Sequence, residues 1–172
     1  DGAARYVRVS GRQGLVTADA GEVNRLNVTS LKLRDRRLLA FEPEAARRLE
    51  VTGPAQNIAL WKDGPVWQLT KPDRRELKEG HVRAFIWALK RLKFSGVVEE
   101  RRTGEPTGEI LLEARIWTDA ATPQRLSVLR ASDETGGAPL AVTSAKPGLY
   151  TADEADLEKV EKEVERLLTR TE

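Results

Sequence analysis

The 172-residue chain has no cysteine, no methionine and a single histidine. The first absence excludes disulfides, thiolate zinc sites and a cysteine nucleophile. It leaves the compartment open, because many exported bacterial proteins also lack cysteine. No apolar run approaches the roughly 20 residues that cross a bilayer, and the opening DGAARYVRVS has no signal-peptide apolar centre. The chain as it stands is therefore expected to be soluble, and Asp1 reads as a position inside a longer or processed protein whose anchor, if it has one, lies upstream. The net charge is only +2, too small for a dedicated nucleic-acid binder. The lone His81 follows Gly80 with no serine, cysteine or paired carboxylate near it, and no G-x-S-x-G occurs. A surface or cap position is expected for it.

What is present is a globular mix, 40% hydrophobic and 33% charged, able to build a core. The charge is unevenly placed. Residues 71–102 carry ten Lys/Arg against five Asp/Glu, and residues 153–172 carry four against eight. Two solvated helix faces account for this, and the alternative is pairing between the ends or steering of a partner.

A short phrase occurs twice: GLVTAD at 14–19 and GLYTAD at 148–153, 134 positions apart. The likeness extends outward at the same offset. Tyr6-Val7-Arg8-Val9-Ser10 aligns with Leu140-Ala141-Val142-Thr143-Ser144, both alternating as strands do. Val23 and Leu26 align with Leu157 and Val160 at helical spacing, and Leu33 and Arg36 with Leu167 and Arg170. Agreement over about thirty residues indicates duplication. Residues 1–37 then read as the closing segment of a preceding repeat, and residues 38–172 as one complete repeat. Without the rest of its repeat, the first strand is expected to seek an edge on the complete one.

Within 38–172, EPEAARRLEVTG predicts a helical turn from Pro43 leading into a strand. NIALWKDGPVWQLT predicts a hairpin with Asp63-Gly64 at its tip and with Trp67 and Leu69 on one face. EGHVRAFIWALKRLKF places Val82, Phe85, Ile86, Leu89 and Leu92 on one helical stripe. FSGVVEER, GEILLEARIWT and QRLSVLRAS follow as strands, separated by RTGEPTG and DETGGAP. A last helix is expected to begin with a Thr151-x-x-Glu154 capping box and to bury Leu157, Val160, Val164, Leu167 and Leu168. The expected fold is α+β: a largely antiparallel sheet covered by two longer helices, preceded by the closing strand–helix segment of another repeat.

The order of LKLRDRRLLAFEPEAARRLEV, LWKDGPVWQLTKP and VRAFIWALKRLKFSGVVEE resembles the bacterial family known as domain of unknown function 4340. The resemblance implies tandem copies on the outer side of a membrane, an N-terminal membrane helix in the parent protein, and proximity to ABC transporters of the gliding-motility type. It implies no catalytic residue.

The remaining chemistry is sparse. Carboxylates recur at Glu99, Glu100, Glu109, Glu113 and Asp119, and of these Glu109 and Glu113, four apart on an expected strand, share a face. Acid–base work or calcium binding would need a third ligand or a glycine-bearing loop, and the alternation with Ile110, Leu112 and Ile116 reads as the wet side of a sheet. Lys78, Arg83, Lys90, Arg91 and Lys93, with Trp87 and Phe94, suggest nucleic-acid contact, but the charges fall where an amphipathic helix puts its polar face. Asn27-Val28-Thr29 matches a glycosylation pattern. The expectation is a non-enzymatic binding or assembly module with no cofactor and no metal. Its partner is a protein, plausible contacts being ABC-transporter components, met through sheet edges and the exposed aromatics Trp61, Trp67 and Trp117. The alternative is an envelope carbohydrate-binding or hydrolytic domain using those tryptophans beside carboxylates.

Overall fold

The computed structural model describes residues 4–7, 14–19, 30–54, 57–100, 108–118, 121–130 and 137–169. Contacts divide the chain into two units, Asp1–Asp35 and Arg36–Glu172. In the first, strand β1 (Ala4–Val7) pairs antiparallel with β2 (Val16–Asp19), and one helical turn, α1, spans Ser30–Leu33. Among the described residues β1 and β2 pair only with each other, so the N-terminal strand does not join an edge of the complete repeat. Closing a short local loop costs less chain entropy than recruiting a distant edge. The expected helical residues Val23 and Leu26, and Asn27, lie outside the described residues, as does Asp119.

The second unit is α+β. A 3-10 turn at Pro43–Ala45, with proline at its first position, leads into β3 (Arg48–Thr52). Then come β4 (Asn57–Asp63), β5 (Val66–Lys71), β6 (Arg75–Leu77) and helix α2 (Glu79–Arg91). Strands β7 (Phe94–Glu99), β8 (Ile110–Trp117), β9 (Gln124–Leu129), β10 (Leu140–Thr143) and β11 (Lys146–Ala152) precede helix α3 (Glu154–Leu168). The strands form one nine-stranded sheet in the order β6-β5-β4-β3-β8-β9-β10-β11-β7, every neighbouring pair antiparallel. The two helices pack on each other and cover one face.

The β4–β5 hairpin forms as expected, with Asp63 opposite Val66 across a two-residue Gly64-Pro65 loop. Asp63 is thus the last strand residue and not a loop residue, and only Gly64 takes a positive φ, +58°. Glycine first and proline second suits a type II′ turn, whose first central residue alone needs that conformation. The α2 stripe is also as read: Val82, Phe85, Ile86 and Leu89 are buried, and Leu92 just past its end is fully buried. Leu49, Leu60, Leu69, Ile116 and Leu126 of the sheet are buried as completely, all at most 1% exposed. Burial of this kind contributes roughly 1.5–3 kcal/mol per large apolar side chain.

The cap of α3 differs from expectation. Thr151 is still in β11, and its hydroxyl lies 3.1 Å from Ser95 Oγ across the β7 pairing. The N-cap is Asp153, whose carboxylate accepts from the Asp156 backbone N–H at 3.3 Å. A β-branched threonine suits the strand, and the aspartate two residues on sits where the free helical N–H groups begin. The other end of α3 is held by Arg75 of β6, which donates to the Leu167 and Leu168 carbonyls at 2.6 and 2.8 Å and to Asp73 at 3.1 Å. A guanidinium there satisfies carbonyls that have no partner within the helix and complements the negative end of its dipole. Of α3's apolar stripe, Leu157, Val160, Val164 and Leu167 are buried, while Leu168 is half-buried at the helix end.

Candidate functional site

Helices cover one face of the nine-stranded sheet, which leaves the other to solvent. Pairing across β6, β5, β4, β3 and β8 sets Glu76, Gln68, Trp61, Arg48 and Trp117 in one row on that open face. Trp61 is 50% exposed, the Arg48 guanidinium lies 4.6 Å from the Trp117 ring centre, and Arg48 also pairs with Glu50. Trp61 and Trp117 sit on strands two apart, roughly 10 Å by strand spacing, with Arg48 between them. A cation stacked on indole and a half-exposed second indole make a contact surface with a fixed geometry.

Beside this row the face deepens into a trough of about 670 Å³ over β8, β9 and β10, lined by Glu113, Arg115, Arg125, Ser127, Val142 and Ser144 among others. Glu113 and Arg115 lie on the same side of β8 and pair at 2.6 Å. Glu109 stands just ahead of β8, where a bulge shifts the register, and its carboxylate takes Arg130 at 2.6 Å. The two carboxylates proposed for acid–base work are therefore each engaged by an arginine.

Trp67 is not part of the open row. It faces the helices at 4% exposure, opposite Lys62, whose ammonium lies 5.8 Å from its ring centre. With Trp87 it lines a crevice of about 130 Å³ between the hairpin and α2, closed by Pro43, Arg83 and Ile86. Sequence alternation contained this result. A two-residue hairpin loop pairs odd-numbered with even-numbered residues, so Trp61 and Trp67 must fall on opposite faces. Arg48 was not picked out by the sequence, because its place between two tryptophans depends on strand pairings far apart in the chain.

Of the basic residues around α2, Lys90 is 9% exposed and is not a free surface cation. Its ammonium donates to Glu42 at 2.8 Å and lies 5.3 Å from the Trp87 ring centre, with Arg91 at 5.4 Å on the same ring. The Lys90 hydrogen bond, and then its charge, hold the Glu42 carboxyl below the ordinary glutamate value. On α3, Asp156 hydrogen-bonds Lys159 at 2.6 Å and raises its pKa. Among the described residues the charges of α3 pair within that helix, Lys159–Asp156, Lys162–Glu158 and Arg166–Glu163, and none bridges to α2. Phe94 is buried against Tyr150, ring centres 4.7 Å apart, and so offers no base-stacking surface.

His81 lies half-buried in the first turn of α2, beside a depression of about 300 Å³ shared with Arg75 and Arg166. Among the described residues no three His, Cys, Asp or Glu side chains stand together as a metal would need. No helix among them is long and apolar enough to cross a membrane.

No curated protein and no solved structure matches the chain. One family model does, over residues 1–114, which is more than half the sequence and spans both the first unit and the sheet as far as β8. The chain belongs to the family described as domain of unknown function (DUF4340).

Proposed function

We propose that this chain is a non-enzymatic binding or assembly module, displayed on the outer side of a bacterial membrane and associated with an ABC-transporter complex. The observation that carries the binding role is the Trp61–Arg48–Trp117 row, an arginine between two indoles on an otherwise open sheet face. Tryptophan and arginine dominate the energetics of protein contacts, because each buries a large rigid surface and keeps a polar handle. The edge strands are poorer candidates, β6 being only three residues long and β7 ending in Glu99. The membrane setting and the transporter partner come from the family resemblance.

The test measures affinity of the chain for the purified extracytoplasmic parts of transporter components encoded beside its parent gene. Trp61→Ala and Arg48→Ala are each expected to weaken binding by roughly tenfold or more. Trp67→Phe, on the covered face, is expected to leave it unchanged. Binding that ignores both open-face changes would remove this surface from the reading.

A second reading, a carbohydrate-binding envelope domain, draws on the half-exposed Trp61 ring next to the polar trough of Glu113, Arg115 and Ser127. Calorimetric titration with envelope oligosaccharides separates the two, since only this reading expects heat that Trp61→Ala abolishes.

A further inference from the structure

The duplicated phrase is also duplicated in geometry. In the first unit Tyr6 pairs with Thr17 and Val7 with Val16, and in the second Leu140 pairs with Thr151 and Ala141 with Tyr150. Each first-unit residue lies 134 positions before its counterpart, so the two hairpins share one register. Gly14 and Gly148, again 134 apart, both take positive φ, +98° and +124°. The helical turn at Ser30–Leu33 aligns with residues 164–167, the last turn of α3.

The surroundings are opposite. Leu15 is 66% exposed and Leu149 5%; Val16 is 45% exposed and Tyr150 7%; Leu33 is 76% exposed and Leu167 1%. In the second unit these positions are covered because β10 pairs with β9, β11 pairs with β7, and α3 packs on α2. Among the described residues the first hairpin has no strand on either outer edge.

From this we infer that the first unit is a docking element whose occupant is the sheet and helix of another copy of the same repeat, presenting a β9-type strand to β1, a β7-type strand to β2 and an α2-type helix to α1. A second molecule of this chain offers no such seat, since its own β10 and β11 already occupy β9 and β7. The seat must belong to a repeat that lacks its own closing hairpin. The geometry also specifies a residue. Thr151 faces Gly96 of β7, where an added Cβ would stand 2.7 Å from the Thr151 hydroxyl oxygen. The strand received by β2 therefore carries a glycine opposite Thr17.

The inference is independent of the partner read for the open face, and its test separates them. Residues 36–139 are placed directly ahead of Tyr6, so that the first hairpin stands where Leu140 and its followers stand in the complete repeat, with the rest of the chain following unchanged. Amide hydrogen exchange at residues 6–7 and 16–19 is expected to slow by roughly a hundredfold or more relative to the original chain. Exchange as fast as in the original chain, with the added 36–139 segment itself protected, overturns the inference.

The original chain supplies a second measurement that does not depend on the longer one folding. Leu33→Gln and Leu15→Gln are expected to leave its unfolding midpoint unmoved, while Leu167→Gln and Leu149→Gln lower it strongly. Equal losses from both sets would mean that the first unit is already covered in this chain, and would overturn the inference. So would a dimer in sedimentation that Leu33→Gln dissociates.

Discussion

Hairpins β1–β2 and β10–β11 share a register, a positive-φ glycine and five of six letters in the connecting phrase, yet Val16 is 45% exposed and Tyr150 7%. Turn geometry and register are local properties, set by the glycine and by the length of chain between strands. Burial is set by what the rest of the fold brings to the edges. The same closing element is core in one place and surface in the other.

The comparison breaks most visibly if the second unit's core is not what covers its hairpin and helix. Phe85 is 0% exposed at the centre of the α2 stripe. Phe85→Ala is expected to cost about 3–5 kcal/mol in urea unfolding, from lost burial and the cavity left behind. A midpoint close to that of the unaltered chain would show that α2 does not carry the core.

The paired glycines sharpen the comparison further. An alanine Cβ at Gly148 would stand 2.7 Å from the Glu99 carbonyl oxygen, in addition to the strain of φ +124°, whereas at Gly14 nothing lies within 4 Å. Gly148→Ala is expected to destabilise the second unit by roughly 1–3 kcal/mol or more. Gly14→Ala meets only the backbone strain, and only within the first unit, so the main unfolding transition should not move. Equal shifts in that transition would mean the two glycines have equivalent surroundings.

Much of the fold was legible because it is local. The Gly64 turn, the α2 stripe and the proline-led turn at Pro43 depend on residues within a few positions of one another. The α3 cap was misplaced by two residues because Thr151 and Asp153 are both good caps. The choice was made by β7, whose pairing with Thr151 and Ala152 carries the strand up to Asp153. The candidate surface was half legible. Trp61 and Trp117 were picked out as aromatics in strands, but Arg48 between them comes from the order β4-β3-β8, which no local pattern encodes. The exposed state of Leu15 and Leu33 was illegible for the same reason: sequence shows an apolar position and does not show what arrives to cover it.

The cap correction predicts a smaller effect. Asp153→Ala removes the acceptor for the Asp156 N–H and is expected to cost about 1 kcal/mol, with Asp153→Asn retaining most of it. Thr151→Ala removes a contact with Ser95 in the sheet and should leave the helicity of an isolated 150–169 peptide unchanged, where Asp153→Ala lowers it. If the threonine change alone lowered the peptide's helicity, the capping box first read from the sequence would be restored.

The smallest effect belongs to the ion pair that joins the Pro43 turn to α2. Lys90 hydrogen-bonds Glu42 at 2.8 Å, and first this bond and then the ammonium charge lower the Glu42 pKa. The unfolded chain, whose glutamate titrates at about 4.3, binds a proton at higher pH than the folded one does. The stabilisation is therefore fully present above that unfolded value and is lost as pH falls through the lowered folded value. Because the carboxylate is exposed, the contribution is small and salt-screened. Glu42→Gln should lower the urea midpoint slightly at neutral pH, and the gap from the unaltered chain should narrow as pH falls below the unfolded value of about 4.3. Leu33→Ala, in the uncovered first unit, should show no gap at any pH in the same series. A Glu42→Gln gap that widened on acidification would mean that the carboxyl is held above its ordinary value, reversing the sign of the Lys90 contact.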